Sequence, residues 1–245
     1  MEEQRHVNTV EVILTPRLFG DVMTTGDCII VLADILRATT SICHAFHNGV
    51  ASVIPVASLD EARAMKEQGF LVASEQDGKK LDFADFGNSA FSFTRERVQG
   101  KTLVYCTTNG TRALEIAKGR APVAIGAFIN IRSLKAWLER QDRDVVILCS
   151  GWKNKFCLED TIFAGALSEM LIGEAGFTTN CDATHAAMDL YQCARHDPAR
   201  YIEKAMHRER LRSLGLDDVI PYSFQSDQTT VVPVFNGKEI INMNP

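Results

Sequence analysis

Four carboxylates stand where a short apolar run gives way to a polar segment or where a helical pattern begins. They are Asp34, Glu75, Glu159 and Asp160. A carboxylate at the end of a buried strand is costly unless it is paired or binds a metal, and Mg²⁺ prefers such oxygen ligands, with waters and substrate phosphate completing its shell. The sequence therefore predicts a magnesium site made of all four residues and a catalytic role for Asp34, Glu159 and Asp160. Two structural alternatives stay open: Asp34 could pair with Arg37, and the two acids that begin a helix could reflect only the helix dipole.

Two segments between a strand and a helix combine threonines with one arginine, a composition that suits an anion. The unpaired amides and partial positive charge of a helix N-terminus bind phosphate, hydroxyls donate, and arginine can hold two oxygens at once. We therefore predict catalytic roles for Arg37 and Arg112, and we expect both arginines to face one crevice. The residues predicted to bind substrate or phosphate are Thr39, Thr40, Asn88, Thr107, Thr108, Asn109, Gly110, Thr111, Asn130, Ser150 and Gly151. A polar turn with ordinary helix caps is the structural alternative.

Short apolar runs alternate with helical patterns along the chain, which is typical of an α/β fold. We predict strands over residues 28–33, 51–56, 70–74, 102–106, 123–126 and 145–149, and helices over 38–47, 59–68, 111–118, 131–140 and 158–172. We also predict a long loop over 76–88, a mostly helical segment over 182–214, and a hairpin of strands 229–235 and 238–241. We expect one domain over residues 1–245, with a layered α/β/α architecture, a mixed sheet and three similar strand–loop–helix units. Ligands of such sheets bind beyond the carboxyl ends of the strands.

The composition argues against several classes of function. The 245 residues are 46% hydrophobic with a net charge of −5 and contain no Lys/Arg-rich run, so we expect no nucleic-acid partner. No apolar run approaches the ~20 residues that span a bilayer, and the N-terminus does not resemble a signal peptide, so we expect no membrane partner. Seven scattered cysteines without a CxxC pair are typical of buried thiols in a reducing compartment. We therefore expect a cytoplasmic protein whose partner is a small-molecule phosphate ester; a homodimer is left open.

Four segments carry a resemblance to a known family. They are residues 34–41 (DILRATTS), 85–89 (DFGNS), 106–114 (CTTNGTRAL) and 158–165 (LEDTIFAG). In sequence, order and separation they are similar to the signature blocks of the 2-phosphosulfolactate phosphatases, and the resemblance extends over roughly residues 28–240. It implies an α/β fold of the family's own type and Mg²⁺-dependent hydrolysis of (2R)-2-phospho-3-sulfolactate to 3-sulfolactate and phosphate, in coenzyme M biosynthesis. Two departures fall in the loop that would contact the non-phosphate end of the substrate: Gln76-Asp77-Gly78 replaces a glycine pair, and Ala90 replaces a proline.

Other chemistries stay open at this point. Cys106 and Arg112 have the C-x5-R spacing of a cysteine phosphatase, in which a thiolate attacks phosphorus; a buried strand-end cysteine is the favoured alternative. Asp34 could form an aspartyl-phosphate, but Leu36 replaces the second aspartate of haloacid-dehalogenase-like enzymes, so we favour metal-activated water. A phosphometabolite-binding protein without turnover is the non-enzyme alternative. One histidine could give a proton to the leaving oxygen, and the sequence does not choose among His185, His196 and His207.

Overall fold

The computed structural model describes residues 7–22, 27–107 and 110–244. Within these ranges one sheet contains ten strands: β1 Val10–Ile13, β2 Cys28–Ala33, β3 Ser52–Pro55, β4 Leu71–Gln76, β5 Lys79–Lys80, β6 Thr102–Cys106, β7 Val123–Gly126, β8 Asp144–Cys149, β9 Pro233–Phe235 and β10 Ile240–Asn242. The α-helices of the same ranges are α1 Phe19–Val22, α2 Ala38–His47, α3 Leu59–Glu67, α4 Arg95–Val98, α5 Gly110–Ala117, α6 Ile131–Gln141, α7 Leu158–Ala175, α8 Asp182–Ala194, α9 Pro198–Tyr201, α10 Met206–Ser213 and α11 Ile220–Ser223. Thr108 and Asn109, both predicted to bind phosphate, lie outside the described residues.

The predicted α/β layered fold with a mixed sheet is confirmed. The strand and helix predicted on either side of Asp34 have the bounds of β2 and α2, because a run of six apolar residues followed by a helix ending at Asn48-Gly49 leaves little ambiguity. The prediction is incomplete at the edges of the sheet. It omits β1, which is only four residues long, and it assigns to a loop the segment that contains the two-residue strand β5, whose lysines give no apolar signal.

The two faces of β6 lie in two separate apolar cores. Side chains alternate along a strand, and along β6 Leu103 and Tyr105 join the large core to which α2 and α7 contribute. Val104 and Cys106 point the other way, into a small cluster that contains Ala62 of α3. The strand is therefore buried on both sides, and polar side chains come to the surface only where the strand ends.

The lengths of the helices and the state of the cysteines bear on the expectations about membranes and disulfides. Among the described helices, none is long and apolar enough to cross a bilayer. All seven cysteines are free thiols and five of them are buried, as their scattered spacing predicts.

The strand order divides the sheet into two parallel blocks that run in opposite directions. The order is β1-β8-β2-β7-β9-β10-β3-β6-β4-β5. β1, β8, β2 and β7 are mutually parallel, as are β3, β6 and β4, and β5 is antiparallel at the edge. The C-terminal hairpin of β9 and β10 lies between the blocks. Since the three pairings that connect β7 to β3 are all antiparallel, the second block runs opposite to the first.

The carboxyl ends of the two blocks nevertheless meet. In a flat sheet of this order the ends of β2 and β6 would lie at opposite edges. Adjacent strands rotate by about 20–25°, so the five steps from β2 to β6 rotate the strand direction by roughly 100–125°. The contact occurs at Gly110, where an added Cβ would lie 3.0 Å from Asp34 Oδ2 and 2.7 Å from Ala38 Cβ. The twisted, curled sheet thus brings two strand–helix junctions together, and only glycine fits at their closest approach.

Candidate active site

The β2–α2 loop holds Asp34 in a defined position. Asp34 is 6% exposed, and its Oδ1 accepts a hydrogen bond from the Ala38 amide at 3.2 Å. The Asp34 amide donates to Thr39 Oγ1 at 3.1 Å, and Thr40 Oγ1 donates to the Ile35 carbonyl at 2.9 Å. The hydroxyls of Thr39 and Thr40, predicted to bind substrate, therefore bond to the backbone of their own loop, where they hold Asp34 in place.

Asp160, predicted as a metal ligand, joins this loop to the loop that follows β8. Its Oδ1 accepts from the Ile35 amide at 2.9 Å, and its Oδ2 accepts from the Gly151 amide at 3.0 Å and from Ser150 Oγ at 3.3 Å. Gly151 has a φ of +62°, and an added Cβ there would collide with the Lys155 carbonyl oxygen, so this turn needs glycine. Burial raises the pKa of Asp160, as does the nearby charge of Asp34. Because both oxygens accept protein hydrogen bonds, Asp160 positions the two loops.

The turn between β4 and β5 brings Glu75 and Arg37 to the same place. Glu75 Oε2 accepts from the Gly78 amide at 2.6 Å, and the Gly78 carbonyl accepts from Arg37 Nη2 at 3.1 Å. Glu75 is 7% exposed and Arg37 is 4% exposed. Burial lowers the pKa of Arg37, and the negative charges of Glu75 and Asp34 oppose that shift. Asp34, Glu75 and Arg37 form the floor of a cleft whose lining also includes Asn88, Thr107, Trp152, Lys153, His207 and Arg210.

A histidine that the sequence does not single out completes the site. His207 of α10 contacts Glu159, with 2.7 Å between Nδ1 and Oε1, and its ring stacks on Trp152 with centroids 5.5 Å apart and planes inclined by 13°. Burial lowers the pKa of His207, but the hydrogen bond and charge of Glu159 outweigh burial and raise it above its ordinary value. Glu159 Oε2 is buried without a hydrogen-bond partner among the described residues. Since Nδ1 is engaged, Nε2 is the ring nitrogen left for the cleft.

In the described part of the β6–α5 junction, Thr107 and Thr111 bond to each other. The Thr107 amide donates to Thr111 Oγ1 at 3.2 Å, Thr111 Oγ1 donates to the Thr107 carbonyl at 2.6 Å, and the Thr111 amide donates to Thr107 Oγ1 at 3.2 Å. Thr107 lines the cleft beside Asp34. Arg112 is exposed in an adjoining groove, which shares Glu75 and Thr107 with the cleft. The expectation that both arginines face one crevice is therefore wrong: Arg37 lines the cleft, and Arg112 lines the adjoining groove.

The two predicted asparagines have different environments. Asn88 lines the cleft, and the Tyr105 hydroxyl donates to its Oδ1, which leaves the side-chain nitrogen as a donor. Asn130 is completely buried: its Oδ1 accepts a backbone bond, and its Nδ2 donates to the carbonyls of Ile125 and Val231 at 3.2 and 3.1 Å. Asn130 thus secures the loop after β7, and its position gives no support to a role in substrate binding.

The cysteine of the C-x5-R spacing has an environment that disfavours a nucleophile. Cys106 is 5% exposed and belongs to the small apolar cluster with Val72 and Val104. Burial raises the pKa of its thiol, whereas reactive cysteines need a lowered pKa. Cys106 and Arg112 both border the adjoining groove, so the structure does bring the two residues of the C-x5-R spacing to one groove. A thiolate would nevertheless be unstable in the apolar surroundings of Cys106.

Basic groups outnumber carboxylates along the cleft. The ionisable residues of its lining are Asp34, Glu75, Asp77, Arg37, Lys153, His207 and Arg210. Burial raises the pKa of Asp34, and the charge of Glu75 adds to that effect. Lys153 and Arg210 are exposed, whereas Arg37 is buried. The cleft therefore has a floor of two buried carboxylates with one arginine, and a mouth with two further cations and the exposed carboxylate of Asp77. The excess of basic groups suits a multiply charged anion.

Comparison with known proteins places the chain in a family. The sequence profile described as 2-phosphosulpholactate phosphatase matches residues 13–238. The chain belongs to this family. Among similar proteins named probable 2-phosphosulfolactate phosphatase, one from Gloeobacter violaceus is 36% identical over 229 residues, covering 91% of this chain and 94% of that protein. One from Synechococcus sp. (strain WH7803) is 38% identical over 83% of this chain and 85% of its own length. One from Caldanaerobacter subterraneus is 32% identical over 83% and 86%.

Membership of the 2-phosphosulfolactate phosphatase family confirms the resemblance carried by the four segments, and the structure shows what each segment contributes. Residues 34–41 supply Asp34 and Arg37, residues 85–89 supply Asn88, and residues 106–114 supply Thr107 to the cleft. Residues 158–165 supply Glu159, which contacts His207. The segments are distant in sequence and adjacent in space.

Proposed function

We propose that this family member is a Mg²⁺-dependent phosphatase that hydrolyses (2R)-2-phospho-3-sulfolactate to 3-sulfolactate and phosphate. The observation that carries the proposal is the convergence on one cleft of Asp34, Glu75, Arg37 and the His207–Glu159 pair. The cationic mouth suits a substrate that bears a sulfonate and a carboxylate besides its phosphate. We further propose that the enzyme acts in coenzyme M biosynthesis in the cytoplasm, where free thiols stay reduced.

Asp34 and Glu75 are the residues that would hold Mg²⁺. Both are buried. Burial raises the pKa of Asp34, and the charge of Glu75 adds to that rise. A divalent cation relieves such a pair of neighbouring carboxylates. Mg²⁺ is commonly bound by one or two carboxylates with waters and substrate phosphate, so a cage of three or more metal-binding side chains, which the described residues do not contain, is not needed. Bound there, Mg²⁺ would supply positive charge to the phosphoryl oxygens. We assign Glu159 and Asp160 to positioning, because His207 and the loop amides already engage them.

Arg37, Asn88 and Asp34 carry the attack on phosphorus in this proposal. The guanidinium of Arg37 and Nδ2 of Asn88 donate to phosphoryl oxygens and hold the phosphorus facing Asp34. A water molecule attacks phosphorus, its proton passes to Asp34, and the bond between phosphorus and the ester oxygen breaks.

His207 serves the leaving group. When the ester bond breaks, the alkoxide oxygen of the sulfolactate takes a proton from His207 Nε2. Glu159 holds Nδ1 and stabilises the imidazolium before transfer. Stacking on Trp152 fixes the plane of the ring, so the donor is oriented before the substrate arrives.

Phosphate release from 2-phospho-3-sulfolactate, measured with Mg²⁺ and in excess EDTA, tests the proposal. We expect release with Mg²⁺, its loss in EDTA, and recovery when Mg²⁺ is added back. An unchanged rate in EDTA would remove the metal from the proposal. Binding of the substrate without release would instead support a phosphometabolite-binding protein. Phospholactate and phosphoglycerates in the same assay would define the substrate range.

A further inference from the structure

We infer that Arg210 and Lys153 form a second anion subsite at the mouth of the cleft, which binds the substrate's non-phosphate anionic group. The inference rests on the proposed function for the phosphate end, and it specifies how a small acid with a second oxyanion, a sulfonate or a carboxylate, is distinguished from a simple phosphate ester.

One backbone turn positions two arginines that come from different elements. Asp77 and Gly78 have φ values of +51° and +88°, and their consecutive carbonyls accept bonds from two guanidinium groups. Arg37 Nη2 donates to the Gly78 carbonyl at 3.1 Å, and Arg210 Nη2 lies 3.4 Å from the Asp77 carbonyl. An added Cβ at Gly78 would lie 3.0 Å from Leu214 Cδ1, so the segment after α10 packs directly on this turn. The two arginines are therefore neighbours, with Arg37 at the floor and Arg210 at the mouth.

Arg210 retains most of its capacity to bind an anion. Across the described ranges, no carboxylate lies within ion-pair distance of its guanidinium, and a single backbone carbonyl engages one of its five N–H donors. Arg212, two residues later on the same helix, is different: its Nη1 pairs with Glu209 Oε2 at 3.0 Å. Arg210 lines the cleft, whereas Arg212 does not belong to its lining. Of these two exposed arginines, only Arg210 is both available and placed to meet a substrate.

Lys153 brings a second cation to the same mouth from the loop after β8. This loop is closed by reciprocal backbone bonds between Trp152 and Lys155, both 3.1 Å, and Lys153 at its tip has a φ of +54°. Its ammonium lies 5.0 Å from the centroid of the Trp152 ring. Since Trp152 also stacks on His207, Lys153 stands on the leaving-group side of the cleft. That is the side from which a sulfonate or carboxylate of the leaving sulfolactate would project.

The first test compares Arg210→Gln with Arg212→Gln as the matched control. For 2-phospho-3-sulfolactate we expect Arg210→Gln to raise KM at least about tenfold, and for an aryl phosphate without a second anion we expect a change below about twofold. Arg212→Gln should leave KM unchanged for both substrates, since the exposed ion pair of Arg212 lies outside the cleft and contributes little to stability. An equal loss on both substrates, or no loss on either, would overturn the inference.

The second test separates the subsite from the proposed function. Calorimetry with 3-sulfolactate, which has no phosphoryl group, measures the subsite without turnover, and we expect Arg210→Gln and Lys153→Gln each to weaken its binding about tenfold. If the protein hydrolyses no phosphate ester but binds 3-sulfolactate in an Arg210-dependent way, the subsite stands and the proposed function fails. If hydrolysis proceeds while Arg210→Gln leaves the affinity for 3-sulfolactate unchanged, the proposed function stands and the subsite fails.

Discussion

Arg37 and Arg112 each follow a strand of the sheet and lie at or near the start of a helix, in the β2–α2 and β6–α5 junctions respectively. Arg37 is 4% exposed and bonds to the Gly78 carbonyl beside Glu75. Arg112 is exposed in the adjoining groove. The described threonines of the two junctions are alike in that the hydroxyls of Thr39, Thr40 and Thr111 bond to nearby backbone groups. Similar residue types therefore have different environments, depending on what other elements bring to each junction.

The β2–α2 junction is surrounded by groups from distant parts of the chain. The loop after β8, anchored by Asp160, lies on one side, the turn after β4 on another, and α10 brings His207 to the cleft. The β6–α5 junction supplies Thr107 to the cleft, and its Gly110 permits the close contact with Asp34. We infer that the first junction carries the chemistry and that the second supports it.

The largest effect should come from removing the group that α10 brings to the first junction. We expect His207→Gln to lower kcat for 2-phospho-3-sulfolactate by about 10²-fold or more, as for loss of a positioned general acid. The loss should be much smaller for an aryl phosphate, whose leaving group needs no proton. His196→Gln, an exposed histidine that the sequence does not distinguish from His207, is the control and should leave kcat unchanged. A loss that is equal for alkyl and aryl esters would point to a structural role for His207.

The two arginines test the comparison directly. We expect Arg37→Lys to lower kcat/KM at least about tenfold for every phosphate ester, because lysine keeps the charge but loses the planar fork. Arg112→Lys should change kcat/KM less than about threefold, since an exposed charge outside the cleft is well solvated. Steady-state kinetics on two substrates is sufficient. Equal losses for the two variants would show that both junctions hold phosphate.

The smallest effect, on stability, concerns the contact between the junctions. Gly110→Ala would place a Cβ 2.7 Å from Ala38 Cβ, which cannot move freely, so we expect unfolding free energy to fall by about 1–3 kcal/mol. Gly173→Ala in α7 is the control, because nothing lies within 4 Å of its added Cβ and alanine favours a helix by about 0.5–1 kcal/mol. Urea unfolding measures both. If Gly110→Ala is as stable as the wild type, the two junctions are not in close contact.

The sequence predicted the parts of this molecule that depend on local pattern. The bounds of β2, α2, β6 and β7 follow from apolar runs and helix stops, and the location of Asp34 directly after β2 follows from those bounds. Glu75 was predicted to follow a strand over 70–74 and instead lies within β4, one residue before its end. The hairpin around Asn236-Gly237 was also predictable from its turn residues. Its position between the two parallel blocks was not, because pairing across the sheet depends on contacts between residues far apart in sequence.

The candidate site shows the same limit. His207, Lys153 and Arg210 lie in polar segments that show no catalytic spacing, and only the packing of α10 and of the loop after β8 brings them to the cleft. Conversely, Asn130 had the residue type and position of a binding group, yet its side-chain amide donates to the carbonyls of Ile125 and Val231 and is not available to a substrate. Residue type and strand-end position identify candidates, and only the tertiary structure shows which donors and acceptors remain available.

The most direct measurement of the central claim is the single-turnover rate of phosphate release for Asp34→Asn beside Cys106→Ser. Asp34 directly follows β2 and is the base in the metal-dependent chemistry. Cys106 is the last residue of β6 and is the nucleophile in the competing cysteine-phosphatase chemistry. We predict that Asp34→Asn slows release by about 10²-fold or more and that Cys106→Ser stays within about threefold of the wild type, because burial disfavours its thiolate. Near-complete loss in Cys106→Ser with an active Asp34→Asn would contradict the account and assign the chemistry to the second junction.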